Sequence, residues 1–124
     1  MAQANERLIW VDMEMSGLNP NSDRILELAV VVTDNELNTV AEAPILVVHQ
    51  PAAVLEAMDS WNKSTHTRSG LVQRVAESTL NEAAAQSHML EFLRPLVASG
   101  QSPLCGNSVH QDRRFLVQYM PELE

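Results

Sequence analysis

The sequence has little cysteine, little positive charge and no long apolar run. Its only cysteine, Cys105, excludes an internal disulfide and fits a reducing compartment. Eight basic residues against sixteen acidic ones give a net charge of -8, which argues against broad, non-specific binding to long nucleic acid. No apolar run approaches the roughly 18 residues that a membrane span needs. Because the first residues, MAQANERL, also lack the apolar region of a signal peptide, we expect a cytoplasmic protein.

What the sequence does contain is enough for one mixed α/β domain. The 124 residues are 45% apolar, which predicts a single domain over residues 1–124 with a real core. Strands are predicted over residues 8–15, 24–34, 44–50 and 102–108. Helices are predicted over residues 52–61, within 65–78, and over 83–97 and 109–120, with Thr79 and Glu82 as a capping box before the third. The first three strands should form an antiparallel meander, and the helical crossover should bring the fourth strand parallel to an earlier one.

Two acids interrupt the first strand, in the stretch IWVDMEMSGL. Asp12 and Glu14 point to the same face because strand side chains alternate, so their charges repel each other. A solvated strand face is one interpretation. The apolar neighbours on both faces instead favour a covered strand with a site at its carboxyl end. Oxygen ligands suit Mg²⁺ or Mn²⁺, whereas the sequence has no His/Cys cluster with zinc spacing.

This acidic motif does not identify a reaction alone. Similar spacing occurs in phosphotransferases that form an aspartyl-phosphate and in nucleotide-sugar transferases. The first class has Asp rather than Glu at the second position, and both classes need partner motifs that this sequence does not contain. The spacing of Asp12 and Glu14 therefore leaves the chemistry open.

A third acid, Asp112, lies in CGNSVHQDRRFL at the start of the last predicted helix. A first-turn acid often only favours the helix dipole. Asp112, however, follows the strand expected beside the first one, so the three acids can converge. Asn107 and Ser108 precede it as polar groups able to meet a phosphate.

The polar stretch SWNKSTHTRSGL reads as loop-rich. It holds Trp61, which is either a core residue or part of a site. It also holds His66, whose ring lies among exposed-looking residues and is either structural or able to stack on a base.

The stretches VDMEMSGL, SWNKSTHTRSGL and GNSVHQDRRFL, in this order and spacing, resemble the oligoribonuclease family of the DEDD 3'-to-5' exonuclease superfamily (DEDDh type). The resemblance runs from about Leu8 to Pro121. It implies a ribonuclease H-like fold, a homodimer and two Mg²⁺ or Mn²⁺ ions. It also implies degradation of very short RNA, dinucleotides above all, to mononucleotides.

The resemblance also implies roles for individual residues. Asp12, Glu14 and Asp112 match three of the four metal-binding acids, with Asp12 contacting both ions. Substrate-binding positions match at Leu18 (a wedge beside the terminal base), Trp61, His66 (a stacking ring), Asn107 and Ser108 (part of a cap on the 5' phosphate). The fourth acid and the general-base histidine of the family lie in a later motif, H-x₄-D, which these 124 residues do not contain. We therefore expect a domain truncated before its last catalytic motif and inactive alone.

Two alternatives stay open beside the short-RNA exonuclease. A general DEDD exonuclease would trim longer RNA or DNA ends, which the net charge of -8 disfavours. A non-catalytic fragment would still bind nucleotides or dimerise, which the missing motif favours.

Overall fold

The protein is described by a computed structural model that covers residues 7–98 and 100–123. Its strands are β1 (Arg7–Met15), β2 (Ile25–Asp34), β3 (Thr39–Glu42), β4 (Leu46–Val47) and β5 (Leu104–Cys105). Its helices are α1 (Ala52–Glu56), α2 (Ser60–Arg68), α3 (Leu71–Glu77), α4 (Glu82–Leu93) and α5 (Val109–Tyr119). The strands form one sheet in the order β3-β2-β1-β5, and β4 also pairs with β2. The predicted mixed sheet with flanking helices is confirmed.

The outer edge of β2 differs from the prediction. A single third strand over residues 44–50 was expected, but β3 and β4 pair with β2 separately. The Asp34 carboxylate accepts hydrogen bonds from the backbone N–H groups of Glu36 and Asn38, both at 2.9 Å, so the turn closes early and β3 starts at Thr39. Pro44 has no N–H to continue a ladder, and only Leu46–Val47 pairs again.

The main core lies on one face of the sheet. Buried side chains of β1 and β2 pack there against α4 and α5: Val11, Met13, Leu28, Val30, Val32, Ala85, Met89, Leu93, Phe115, Leu116 and Met120. A smaller cluster joins the start of β2 to the helices on the other side: Leu26, Leu55, Met58, Leu71 and Val75. The period-two pattern of β1 and of β2 from Leu28 onward decides which residues face the main core, and the register shift opposite Met15 puts Leu26 in the other cluster.

The helices correct two further predictions. The polar stretch expected to be a loop is the helix α2, because the Asp59 carboxylate caps it by accepting from the Asn62 N–H at 2.8 Å. The cap of α4 is Asn81, which accepts from the Ala84 N–H at 2.8 Å, and not Thr79. In the part of the chain that the structure describes, no helix is long and apolar enough to cross a membrane.

A short parallel pairing brings the end of the chain beside its beginning. Ile9 pairs with Leu104 and Trp10 with Cys105, which confirms the predicted parallel strand. Directly after this pairing, a Cβ atom at Gly106 would lie 2.5 Å from the Val11 carbonyl oxygen, so only glycine permits this approach. α5 consequently starts at the carboxyl end of β5, beside the middle of β1 near Val11.

Candidate active site

Alternate residues of β1 face different surroundings. Val11 and Met13 are buried, whereas Trp10, Asp12 and Glu14 are exposed. The expectation that β1 is covered on both faces is therefore wrong for the described residues. α4 and α5 occupy the face of Val11, while α1 and α3 pack near the start of β2. The acids lie on a surface that a ligand can reach.

Asp112 joins these acids from α5. It lies in the first turn of the helix and is buried. Burial, followed by the negative charges of Asp12 and Glu14, raises the pKa of the Asp112 carboxyl to about 6. Burial also raises the pKa of Glu14, and Asp12 and Glu27 add to that rise. The structure therefore brings the three sequence-predicted acids within electrostatic reach of one another.

A fourth carboxylate lies opposite Glu14 on the neighbouring strand. Glu14 and Glu27 are direct partners in the β1–β2 ladder, where like charges are destabilising. Arg74 of α3 donates from Nη1 to Glu27 Oε2 at 3.0 Å. This ion pair is partly exposed, so it contributes little stability but offsets the charge of Glu27.

His66 is placed differently from the expectation. His66 is only 3% exposed. Its ring Nε2 lies 3.0 Å from the Met15 carbonyl oxygen, to which it can donate a hydrogen bond. The polar neighbours of His66 in the sequence suggested an exposed position, but α2 packs this side chain against the end of β1. From there His66 lowers the pKa of Glu14, against the effect of burial.

The remaining predicted substrate residues are on the surface. Leu18, on the loop after β1, is 67% exposed, and Trp61, on α2, is 71% exposed. Asn107 and Ser108 are exposed in the turn between β5 and α5. Ser108 has a left-handed backbone (φ 53°), which turns the chain sharply into α5. Because β1 and β5 are parallel, this turn and the Leu18 loop both follow the carboxyl ends of strands, although β5 ends level with Trp10 and β1 continues to Met15.

The three acids suit a cation by their chemistry rather than by their present geometry. Among residues 7–98 and 100–123, no three His, Cys, Asp or Glu side chains already form a group able to hold a metal ion. Besides burial, Asp12 and Glu14 raise the pKa of Asp112, and Asp12 raises the pKa of Glu14, so a positive charge between the carboxylates would relieve their repulsion. Carboxylate oxygens are the ligands that hard divalent cations prefer, so the donor chemistry of the three acids suits such an ion.

Three side chains that the sequence did not point to hold the loop of residues 17–23. The hydroxyl oxygen of Tyr119 lies 2.7 Å from the carbonyl oxygens of both Pro20 and Asp23. The Arg24 guanidinium lies 4.6 Å from the centre of the Tyr119 ring and donates from Nε to Glu82 Oε2 at 2.8 Å. These contacts join residues far apart in sequence, so no local pattern reveals them.

Comparison with known sequences identifies the family of the chain. The Exonuclease (RNase T) family model matches residues 9–124, so the chain is a nuclease of the exonuclease class. Proteins named oligoribonuclease from Nitrosomonas eutropha, Thiobacillus denitrificans and Azoarcus sp. are 61%, 60% and 59% identical to this chain. Each match covers 100% of this chain and 68% of the relative. The chain belongs to the oligoribonuclease family of 3'-to-5' exoribonucleases.

Solved structures agree on the fold. An Exonuclease I from Methylocaldum szegediense matches with a TM-score of 0.64 at 26% identity, over 89% of this chain and 22% of that protein. The metal-free form of the E. coli Exonuclease I complex with single-stranded DNA matches with a TM-score of 0.60 at 21% identity, over 95% of this chain and 24% of that protein. The chain thus corresponds to under a quarter of each of these larger proteins, which share its ribonuclease H-like fold.

Proposed function

We propose that the protein releases mononucleotides from very short RNA, dinucleotides above all, with Mg²⁺ or Mn²⁺ held by Asp12, Glu14 and Asp112. The observation that carries this proposal is that α5 starts beside β1 and so holds Asp112 within electrostatic reach of Asp12 and Glu14. Among the relatives' structures, a zinc-bound form of the E. coli Exonuclease I complex supports dependence on a divalent ion. Such ions, when bound, polarise the scissile phosphate and acidify a water.

The chain's own residues supply orientation around that phosphate. Leu18 and Trp61 offer exposed apolar surfaces to the bases. Asn107 and Ser108 offer polar groups to a terminal phosphate at the start of α5. His66 can stack on a base only if its ring turns outward and gives up the hydrogen bond to the Met15 carbonyl. That movement is part of the proposal for His66.

The preference for short RNA follows from charge. A protein with a net charge of -8 gains little affinity from a long phosphate chain, so binding must come from a few local contacts. Stacking of a base on an aromatic side chain contributes about 1–3 kcal/mol and tolerates any base. Two bases and one terminal phosphate use these contacts fully, and additional nucleotides extend away from them. Rates should therefore fall with length and depend little on base identity.

The test is kcat/KM for RNA of two to ten nucleotides, measured with the full-length protein. We expect a steep fall with length, and a weaker fall in Leu18→Ala and His66→Ala, with dinucleotide binding weakened by about 1–3 kcal/mol in His66→Ala. The matched control is Leu37→Ala, which removes a similarly exposed apolar side chain from the β2–β3 turn, beside the start of β1 and not its acids (62% exposed against 67% for Leu18). A flat or rising profile in the wild type would instead indicate a general exonuclease.

The 124 residues alone should be inactive. The resemblance places the general-base histidine and the fourth acid in an H-x₄-D motif that this sequence does not contain, and the chain spans 68% of its relatives' length. A general base alone contributes about 10²–10⁴-fold to a rate. Residues 1–124 should therefore leave a dinucleotide intact in the presence of Mn²⁺. Robust turnover would mean that another group, such as His110, serves as the base.

We further propose a cytoplasmic homodimer. The single free thiol of Cys105 supports a reducing location, and the family resemblance supports the dimer. Sedimentation equilibrium of the full-length protein tests the oligomeric state, and a monomer at micromolar concentration contradicts it.

A further inference from the structure

The loop of residues 17–23 is a compact unit with its own hydrogen bonds. The Asn19 N–H donates to Asp23 Oδ2 at 3.0 Å, and the Asp23 N–H donates to the Asn19 carbonyl at 2.7 Å. A Cβ atom at Gly17 would collide with the Asp23 carboxylate, so glycine allows this closed form. At its base, the Arg24 N–H donates to Ser16 Oγ at 2.9 Å. The loop, including the exposed Leu18, should therefore move as one body.

Tyr119 is the link between this body and α5. Its hydroxyl reaches the carbonyl oxygens of Pro20 and Asp23, each at 2.7 Å. A phenol carries one proton, so it donates to one carbonyl or shares the proton between the two. α5 also carries Asp112, so one helix holds both a metal-site acid and the anchor of the Leu18 loop.

The ring of Tyr119 is itself held in place. The Arg24 guanidinium covers it at 4.6 Å, and the Phe115 ring lies 6.3 Å away, centre to centre. Arg24 is fixed in turn by donating from Nε and Nη2 to the two carboxylate oxygens of Glu82. Burial raises the pKa of the Tyr119 hydroxyl, so it remains a protonated donor at neutral pH.

We propose that Tyr119 is a positioning residue whose hydroxyl fixes the Leu18 loop relative to Asp112 and thereby sets how tightly the enzyme holds the base beside the scissile bond. The inference rests on the proposed function, because that function gives Leu18 its contact with a base. It assigns the specificity of the site partly to a residue that lies behind the loop and does not face the substrate.

The first test measures the anchor without any activity. Tyr119→Phe in the full-length protein removes the hydroxyl and keeps the ring under Arg24. We expect the Ser22 and Asp23 amides, which both donate to Asn19, to exchange their hydrogens about 3- to 10-fold faster, the range for one net hydrogen bond. The control is Ser78→Ala, which removes a hydroxyl that donates to the Val47 carbonyl at 2.6 Å, outside this loop. Unchanged exchange in Tyr119→Phe overturns the anchor.

The second test asks whether Tyr119 acts through Leu18. On the best substrate of the length series, Tyr119→Phe should raise KM about 3- to 10-fold with kcat within about twofold, because the contact is made before and during the reaction. In a Leu18→Ala background the same change should have no further effect on KM. If the fold-changes in KM caused by Tyr119→Phe and by Leu18→Ala multiply in the double variant, the proposal is overturned.

The two proposals fail in distinguishable ways. A wild type that prefers long RNA contradicts the short-substrate function. Comparing KM of Tyr119→Phe, Leu18→Ala and the double variant on that longer RNA still decides the role of Tyr119. A merely structural Tyr119 would lower the melting temperature as Ser78→Ala does, with KM unchanged, and this outcome also overturns the inference.

Discussion

The two faces of β1 differ in almost every physical respect although their residues alternate along one strand. Val11 and Met13 are 5% and 6% exposed and pack into the main core. Asp12 and Glu14, their immediate neighbours, lie on the exposed face with Glu27 opposite. One face holds the sheet to α4 and α5. The other collects negative charge that disfavours the folded state.

The two faces contribute to stability with opposite signs, because one is built for packing and the other for a charged site. Apolar burial contributes about 25 cal/mol per Å², so the core face stabilises the domain whatever the solvent contains. The acidic face raises the pKa of both Glu14 and Asp112, and the ion pair between Arg74 and Glu27 offsets only part of its charge. A bound cation would reverse the sign of this contribution. The two faces should therefore respond in opposite ways to substitution, pH and metal.

The largest effect should come from the acidic face. Asp12→Asn in the full-length protein removes a charge that the site needs, so kcat with Mg²⁺ or Mn²⁺ should fall by at least about 10²–10³-fold, the range for one group that stabilises developing charge. Melting of the metal-free protein should stay the same or rise, because repulsion with Glu14 and Asp112 is relieved. Glu36→Gln, at an exposed acid of the β2–β3 turn, is the control and should be silent. Near-normal turnover in Asp12→Asn would remove Asp12 from the site.

The neighbouring residue should give the opposite pattern. Met13→Ala leaves a cavity in the core and should lower the free energy of unfolding by about 2–5 kcal/mol, measured by urea titration. Turnover per folded molecule should change little, since the acids keep their positions. Val40→Ala, on the exposed side of β3, should cost less than about 0.5 kcal/mol. If Met13→Ala abolished turnover under conditions where the protein is fully folded, the core face and the acidic face would not act independently.

The smallest effect should be a pH dependence of the metal-free protein. The pKa of Asp112 rises from 3.8 to about 6 on folding, so between these values the unfolded chain binds fewer protons and stability falls as pH rises. The penalty is absent below pH 3.8 and full above about 6, where it reaches at most about 3 kcal/mol. Asp112→Asn removes it.

Urea titration of the wild type and of Asp112→Asn from pH 4 to 7.5, without metal, measures the stability that the wild type loses through Asp112. The stability of the wild type should fall below that of Asp112→Asn as pH rises. A cation at 100 times its Kd should return about 2.7 kcal/mol to the wild type. Parallel curves for the two proteins would mean that neither burial nor the other acids raise the pKa of Asp112 on folding.

The parts of this comparison that were predicted depend on regular geometry. The period of two in β1 placed Asp12 and Glu14 together, and the parallel crossover rule placed the strand before Asp112 beside them. Neither step needs knowledge of side-chain packing. The coverage of β1 was predicted wrongly because an exposed apolar residue, Trp10, looks the same in sequence as a buried one.

The parts that were missed depend on single polar contacts. α2 has no apolar stripe, and only the Asp59 cap indicates its start. Glu82 was read as part of a capping box, whereas it binds Arg24 and Asn81 caps α4. His66 looked exposed because its partner, the Met15 carbonyl, lies 51 residues earlier in the chain. Contacts of this kind follow from the tertiary fold and have no local pattern.

The β1–β5 pairing has a consequence for the order of events during synthesis. It consists of two residue pairs and joins positions about 95 residues apart, so closing this long loop is entropically costly and brings few hydrogen bonds in return. The β1–β2 hairpin can form while the chain is still emerging from the ribosome, and Asp12 and Glu14 are then already displayed. Their partner Asp112 arrives only after α4 has been made and β5 has docked. The nascent chain therefore displays Asp12 and Glu14 without Asp112 until the segment after α4 has been made and β5 has docked beside β1.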